Sequence, residues 1–323
     1  MSVDFSRVGV AVGHATDDDG ATGCTVVRGI DAPLRGGVAV FGRAAGSREL
    51  HALSTDALAD RVDAVLLTGG SAYGLDAAAG VMRWMEERGR GFPMATGVVP
   101  IVPAAVIFDL GPIGRFDRRP TPEMAYRATE SATITGVAEG SVGVGTGATV
   151  GKAAGIARAM KGGVGCAERG SGGIWVAAVA VVNAFGDVSA ADGRIIAGAR
   201  ADREGFVHAS RLLVEHPERL AALAAEQTMR NTTLAVVATN AALDRVQLNQ
   251  LARAAGAALF RRISPAGSSF DGDTVFALGA RDGAVAHALH VEALAVAALE
   301  EAIERGVRLA VGRPGFPGVA DAR

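Results

Sequence analysis

The sequence predicts a layered α/β domain, on three observations. Short β-branched runs alternate with Ala-rich helical runs along almost the whole chain. That alternation lacks a strict β-α-β rhythm near the N-terminus, which argues against a clean doubly wound sheet. With 44 glycines and only 5% aromatic residues, the core must be built from Ala, Val and Leu, which suits strands and helices in close approach. A chain of 323 residues would be two domains by average length. No internal repeat and no long linker divides it, so residues 1–323 read as a single domain.

Taken in order, residues 8–12, 24–27 and 38–41 read as early strands with Gly turns between them. Asp17-Asp18-Asp19-Gly20 resembles a fragment of a calcium loop but lacks the alternating ligands and the distal glutamate, so it reads as a turn. Residues 62–68 form a buried strand, Gly69-Gly70-Ser71-Ala72-Tyr73-Gly74 the turn after it, and 75–87 a helix. Residues 102–108 are a further apolar segment, 122–135 a polar helix, 141–155 a glycine-rich loop and 175–183 a strong central strand. Residues 199–228 are charged and helical, a connector over the surface, and a helix-like stretch stops at Arg230. A strand over 234–238, an amphipathic helix over 243–258, a strand beginning at 273–276 and a helix over 285–305 complete the pattern. The tail from Arg313, with two prolines and two glycines, is expected to be loosely ordered.

Net charge is −2 with both signs mixed along the chain, so no basic patch argues for nucleic acid or an anionic membrane. The segment Met1 to Arg7 lacks the features of a signal peptide, and the longest apolar run, 174–185, is too short to span a bilayer. The two cysteines, Cys24 and Cys166, read as reduced core residues of a cytoplasmic protein. Of six histidines only His287 and His290 share a helix face, with no third ligand, so they read as surface or capping residues. No metal and no cofactor is implied.

The run Ser141-Val142-Gly143-Val144-Gly145-Thr146-Gly147-Ala148-Thr149-Val150-Gly151-Lys152 invites a nucleotide reading and fails it on spacing. Thr146 holds the first glycine position of a P-loop, and Ala153 replaces the hydroxyl that would bind magnesium. The dinucleotide fingerprint fits only as Gly143-x-Gly145-x-x-Ala148, without a strand before it. The loop reads instead as a tight turn that aims Lys152 into a site, or as a flexible loop with a solvated lysine. Asp271-Gly272-Asp273 places two carboxylates two residues apart at a strand entrance. They read either as a pair pointing into a cleft, each raising the other's proton affinity, or as a plain turn with solvated aspartates.

Asn231-Thr232 puts a hydroxyl where an apolar strand begins. A cut before Thr232 would give one residue both a nucleophile and a base, because the freed α-amine titrates near about 8. A Thr entering a strand is by itself ordinary. Asn231-Thr232-Thr233 is formally a glycosylation sequon, which the missing secretory signal argues against. Thr233 becomes the nucleophile should the cut fall one residue later.

Together these segments resemble the L-aminopeptidase/D-esterase family of self-cleaving N-terminal-nucleophile hydrolases, in its nylon-oligomer (6-aminohexanoate-oligomer) hydrolase branch. The resemblance covers nearly the whole chain. It is carried by Val12-Gly13-His14-Ala15-Thr16-Asp17, Thr22-Gly23-Cys24-Thr25-Val26, the turn 69–75, the loop 145–152, Val181-Val182-Asn183-Ala184 and the Asn231-Thr232 junction. Asp271-Gly272-Asp273-Thr274-Val275-Phe276 favours the nylon-hydrolase branch.

The resemblance implies a four-layer α-β-β-α sandwich. It implies fragments 1–231 and 232–323 that stay associated, and Thr232 as the nucleophile of an acyl-enzyme mechanism. It further implies that Lys152 lowers the proton affinity of the Thr232 amine, and that Asn183 and Tyr73 donate hydrogen bonds to the amine or oxyanion. Asp271 and Asp273 would hold Thr232 and Lys152 and bind a substrate ammonium. The expected partners are a small amide or peptide substrate and other copies of the cleaved pair, as a tetramer. Two alternatives stay open. One is an aminopeptidase or esterase releasing β-, D- or small L-amino acids, and the other an unprocessed binding or scaffold protein.

Overall fold

The computed structural model describes residues 2–111, 113–219 and 231–322. The stretch ending at Arg230 and residues 220–228 of the connector lie outside them. Chain order is β1 (Val10–Asp17), β2 (Thr22–Gly29), β3 (Arg35–Val40), β4 (Ala64–Thr68), α1 (Ala78–Glu86), β5 (Ala104–Val106) and α2 (Pro122–Glu130). There follow β6 (Gly163–Ser171), β7 (Ile174–Asn183), α3 (Ala209–Glu215), β8 (Thr232–Ala241), α4 (Arg245–Ala255), α5 (Ala257–Arg262), β9 (Thr274–Ala284) and α6 (Ala288–Arg308).

Two five-stranded sheets carry the fold. The first runs β1-β2-β4-β5 and ends in the short strand Ser47–Arg48; the second runs β6-β7-β8-β9-β3. Each is antiparallel except at one pair, β4 with β5 and β8 with β9. The alternation of side chains along each strand explains the layers. Val12, Val27, Val65 and Leu67 of the first sheet meet Val179, Val181, Leu234, Val236 and Phe276 of the second in one core. The opposite faces are covered by helices. Cys24, Val26 and Leu66 pack on Val81, Met85 and Ala125 of α1 and α2. Val176, Ala178, Val237 and Val275 pack on Leu248, Leu251, Leu299 and Ile303 of α4 and α6. This is the four-layer α-β-β-α arrangement.

Several expectations change: among the described residues the connector is helical only at Ala209–Glu215, and the helix expected over 122–135 ends at Glu130. The tail is packed: Phe316 is buried, Arg313 pairs with Asp18 at 2.8 Å, and the Gly312 and Gly318 N–H groups donate to the Asp321 carboxylate. Its prolines and glycines shape turns. The helix expected from residue 75 begins as a 3-10 turn at Ser71–Ala77. The last helix lies three residues later than expected, because His287 is its N-cap and accepts from the Leu289 N–H. His14 is neither a surface nor a capping residue. Its ring bonds Thr25 Oγ1 at 2.8 Å, and burial pulls its pKa down to about 4, so it is neutral. Both cysteines are free and buried. Among the described residues no helix is long and apolar enough to cross a membrane.

Candidate active site

Sheet topology gathers four of the predicted residues. In the antiparallel pair β7–β8 the last residue of one strand faces the first of the other, Asn183 opposite Thr232. Because β8 and β9 are parallel, the segment entering β9 lies beside the segment entering β8, and Asn231 bridges to Asp271. The strand β3 runs antiparallel to β9, so its exit at Val40, opposite Thr274, reaches the same end. Asn183, Thr232, Asp271 and Asp273 thus share one end of the second sheet.

Lys152 arrives from the glycine-rich loop. The Gly151 N–H donates to the Gly186 carbonyl at 3.1 Å and the Lys152 N–H to Phe185 at 2.9 Å. Gly151 has φ +71°, and a Cβ there would fall 2.0 Å from the Gly198 carbonyl carbon, so the turn needs glycine. Lys152 is not a solvated lysine on a flexible loop: it is buried. Its Nζ donates to the Asn183 carbonyl at 3.1 Å and to Asn183 Oδ1 at 2.9 Å.

A phosphate cradle is excluded because the loop's donors are already used. The Gly143 and Val144 N–H groups bond the Thr16 and Thr25 hydroxyls, and the Thr149 N–H bonds Asn183 Oδ1. The loop's carbonyls at Gly145 and Ala148 face a second buried lysine, Lys161, at 2.7 and 2.9 Å.

The two aspartates are not a solvated turn; each is about 2% exposed. Asp273 accepts from the Thr233 N–H at 2.6 Å and the Gly267 N–H at 2.9 Å, and Asp271 from the Ser268 N–H at 2.8 Å. Burial and the adjacent Asp271 carboxylate push the Asp273 carboxyl well above its ordinary range. Burial pulls the Lys152 ammonium down to about 7, against the attraction of Asp271 and Asp273. No ion pair or hydrogen bond joins Lys152 to either aspartate among the described residues, so the two shifts mark buried charges that act on one another at a distance.

Thr232 is buried, and its Oγ1 donates to the Asn231 carbonyl at 2.6 Å. That carbonyl also accepts the Gly272 N–H at 2.9 Å. The Asn231 side chain is buried with neither its Oδ1 nor its Nδ2 hydrogen-bonded among the described residues. Thr232 and Asn231 line a cleft of about 490 Å³ with Arg43, Ser71, Phe108 and Phe270 among its other walls. Thr233, its side chain on the opposite face of the strand, does not line it.

Tyr73 is not brought to this cluster. It is 56% exposed, edge-on to Phe116 and under the Arg119 guanidinium. The same turn presents Ser71 to the cleft instead, at φ +52°. Neither Asp271 nor Asp273 lines the cleft; both oxygens of Asp273 and one of Asp271 accept backbone N–H groups. Arg43, Ser71, Phe108 and Gly272 were not singled out by sequence reasoning. The glycine between two aspartates was the one available signal, and Arg43 carries none.

Comparisons with known proteins place the chain in a family. The model of peptidase family S58 matches residues 7–318. An uncharacterized aminopeptidase of Mycobacterium tuberculosis (strain ATCC 25618 / H37Rv) is 44% identical over 293 residues, 86% of this chain and 80% of that protein. The 6-aminohexanoate-oligomer endohydrolase of Kocuria sp. (strain KY2) is 32% identical over 282 residues, 85% and 74% of the two. In fold, the L-aminopeptidase D-Ala-esterase/amidase from Ochrobactrum anthropi, described as a variant of the Ntn hydrolase fold, superposes with a TM-score of 0.72 at 20% identity. The match covers 98% of this chain and 90% of that one.

Proposed function

The chain belongs to peptidase family S58 and hydrolyses amide bonds, and from that premise we propose that it matures by cutting its own Asn231–Thr232 bond and then uses Thr232 on short linear amides. One observation carries this reading: Thr232 Oγ1 lies 2.6 Å from the Asn231 carbonyl oxygen, and the Gly272 N–H lies 2.9 Å from the same atom. A rotation about χ1 brings the hydroxyl over the carbonyl carbon. Attack closes a five-membered ring, and charge develops on the oxygen that Gly272 holds. The C–N bond then breaks, its nitrogen takes the hydroxyl proton, and Asn231 is left as an ester on Thr232. Water hydrolyses the ester to an Asn231 carboxylate, a free hydroxyl and a free α-amine.

In the mature site the α-amine takes the proton of Thr232 Oγ1 as it attacks a substrate carbonyl. As the substrate C–N bond breaks, the α-ammonium passes that proton to the leaving amine, and water then hydrolyses the acyl ester on Thr232. Lys152, one residue removed through Asn183, lowers the proton affinity of that amine by its charge. Asn183, whose Oδ1 is held by Lys152 Nζ and the Thr149 N–H, supports Lys152 in this reading, and its Nδ2, with a 3.5 Å contact to the Phe108 carbonyl, is the proposed donor to the oxyanion. Asp273 fixes the strand entrance through the Thr233 N–H.

The small wall residues Ala44, Ala45, Gly46 and Ala72 suit an unbranched chain such as a 6-aminohexanoate oligomer. The similarity to a protein named as an aminopeptidase supports the second reading, release of an N-terminal β- or small amino acid. Hydrolysis rates on aminohexanoate oligomers against β-alanyl and D-alanyl amides separate the two. N-terminal sequencing of the small fragment should read Thr-Thr-Leu-Ala-Val; another start moves the nucleophile. Association of the cleaved pairs into a tetramer, an expectation carried from the family, is tested by light scattering.

Gly272→Ala gives a further test. A Cβ there falls 2.8 Å from Thr232 Oγ1 and 2.9 Å from the Ala44 carbonyl, so the hydroxyl or the N–H must shift. Self-cleavage followed on a gel is expected to slow by roughly ten- to a hundredfold. An unchanged time course would remove Gly272 from the mechanism.

A further inference from the structure

Among the described residues that line the cleft, one side chain is charged: Arg43, exposed at its mouth. No ion pair or hydrogen bond joins its guanidinium to another described residue. Its backbone, however, is fixed. The Phe41 N–H donates to the Asp273 carbonyl at 2.8 Å, and the Ala44 N–H to the Asp271 carbonyl at 3.0 Å. The segment that positions Thr232 therefore also anchors this arginine. No carboxylate is among the described residues that line the cleft, and Asp271 and Asp273 are buried.

In any linear amino-acid amide the free ammonium belongs to the acyl half and the free carboxylate to the half that leaves as an amine. A guanidinium matches a carboxylate in a two-pronged, charge-assisted hydrogen bond. We propose that Arg43 binds the free carboxylate of the leaving half. The site then reads its substrates from the carboxyl end and favours short unblocked acids over the same compounds capped as amides. The small residues Ala44, Ala45 and Gly46 beside it leave room for the unbranched chain between that carboxylate and the bond attacked by Thr232. This inference rests on Thr232 acting as the hydrolytic nucleophile.

The test uses the matured protein and whichever substrate it opens, a 6-aminohexanoate dimer or a β-alanyl dipeptide, prepared once as the free acid and once as the carboxamide. Wild-type kcat/KM is expected to favour the acid by roughly tenfold or more, mostly through KM. That preference should shrink with added salt, because the arginine is exposed. Arg43→Gln, still running as two fragments on a gel, should bring the acid-to-amide ratio close to one. An unchanged ratio in Arg43→Gln, or a wild-type ratio at or below one, overturns the role of Arg43 and leaves hydrolysis by Thr232 standing. Wild-type protein that opens neither the acid nor the amide overturns the hydrolase reading and this inference together.

Discussion

Thr232→Ala is expected to run as a single full-length band on a denaturing gel, where wild-type protein runs as two fragments, and to hydrolyse no amide substrate. One atom is removed from both reactions. Thr232 Oγ1 is the group 2.6 Å from the Asn231 carbonyl oxygen, and without it there is no ester intermediate, no cut and no free α-amine. The loss in kcat should be on the order of a thousandfold or more, as for other nucleophile removals. The fold should survive, because truncating one buried hydroxyl and methyl costs about 1 kcal/mol. A circular-dichroism melt of the uncut variant checks that point. Two fragments from Thr232→Ala, or full activity from an uncut wild-type chain, would end the self-cleavage mechanism.

Lys152→Met separates activity from stability. Activity is expected to fall about 10²-fold or more, because the Thr232 amine loses the neighbouring charge and Asn183 loses the group that holds it. Stability should move the other way. In the folded chain Lys152 is pulled from 10.5 to about 7 by burial. Between those values the unfolded chain holds the proton and the folded chain does not, so the unfolded state binds more protons and stability rises with pH. The burial cost is therefore complete below pH 7 and fades toward 10.5. Lys152→Met removes that cost and should raise Tm most below pH 7, with the gain shrinking as pH climbs. A variant that melts below wild type at pH 6 would show that the buried ammonium stabilises the fold there.

The layers and the candidate site residues were legible for separate reasons. The strand β7 was legible because an unbroken apolar run is what a strand buried on both faces requires. Lys152, Asn183, Thr232 and the Asp271/Asp273 pair could be named from family order; the sheet gathers the last four at one end and the glycine-rich loop brings Lys152 to Asn183. Tyr73 was misplaced because the turn Gly69–Gly74 offers Ser71 and Tyr73 alike, and only the positive φ at Ser71 decides which one faces the cleft. Arg43 was invisible since its position depends on β3 ending opposite Thr274, a pairing between residues more than two hundred apart in the chain. The ordered tail was missed for the same reason: its partner, Asp18, lies at the other end of the sequence.

The strand that begins at Thr232 is hydrogen-bonded on both sides, to β7 and to β9, and β9 in turn to β3. A cut before Thr232 would thus leave β8 and β9 wedged between strands of the other fragment. Separating the two polypeptides would require dismantling the sheet, so dissociation and denaturation become one event. Its molecularity changes: the uncut chain melts to one molecule, the matured protein to two. The Tm of the matured protein should accordingly rise with protein concentration, while that of Thr232→Ala should not. Recovery after heating should also be poorer once the covalent tie is gone, so maturation would trade the ability to refold for a working amine.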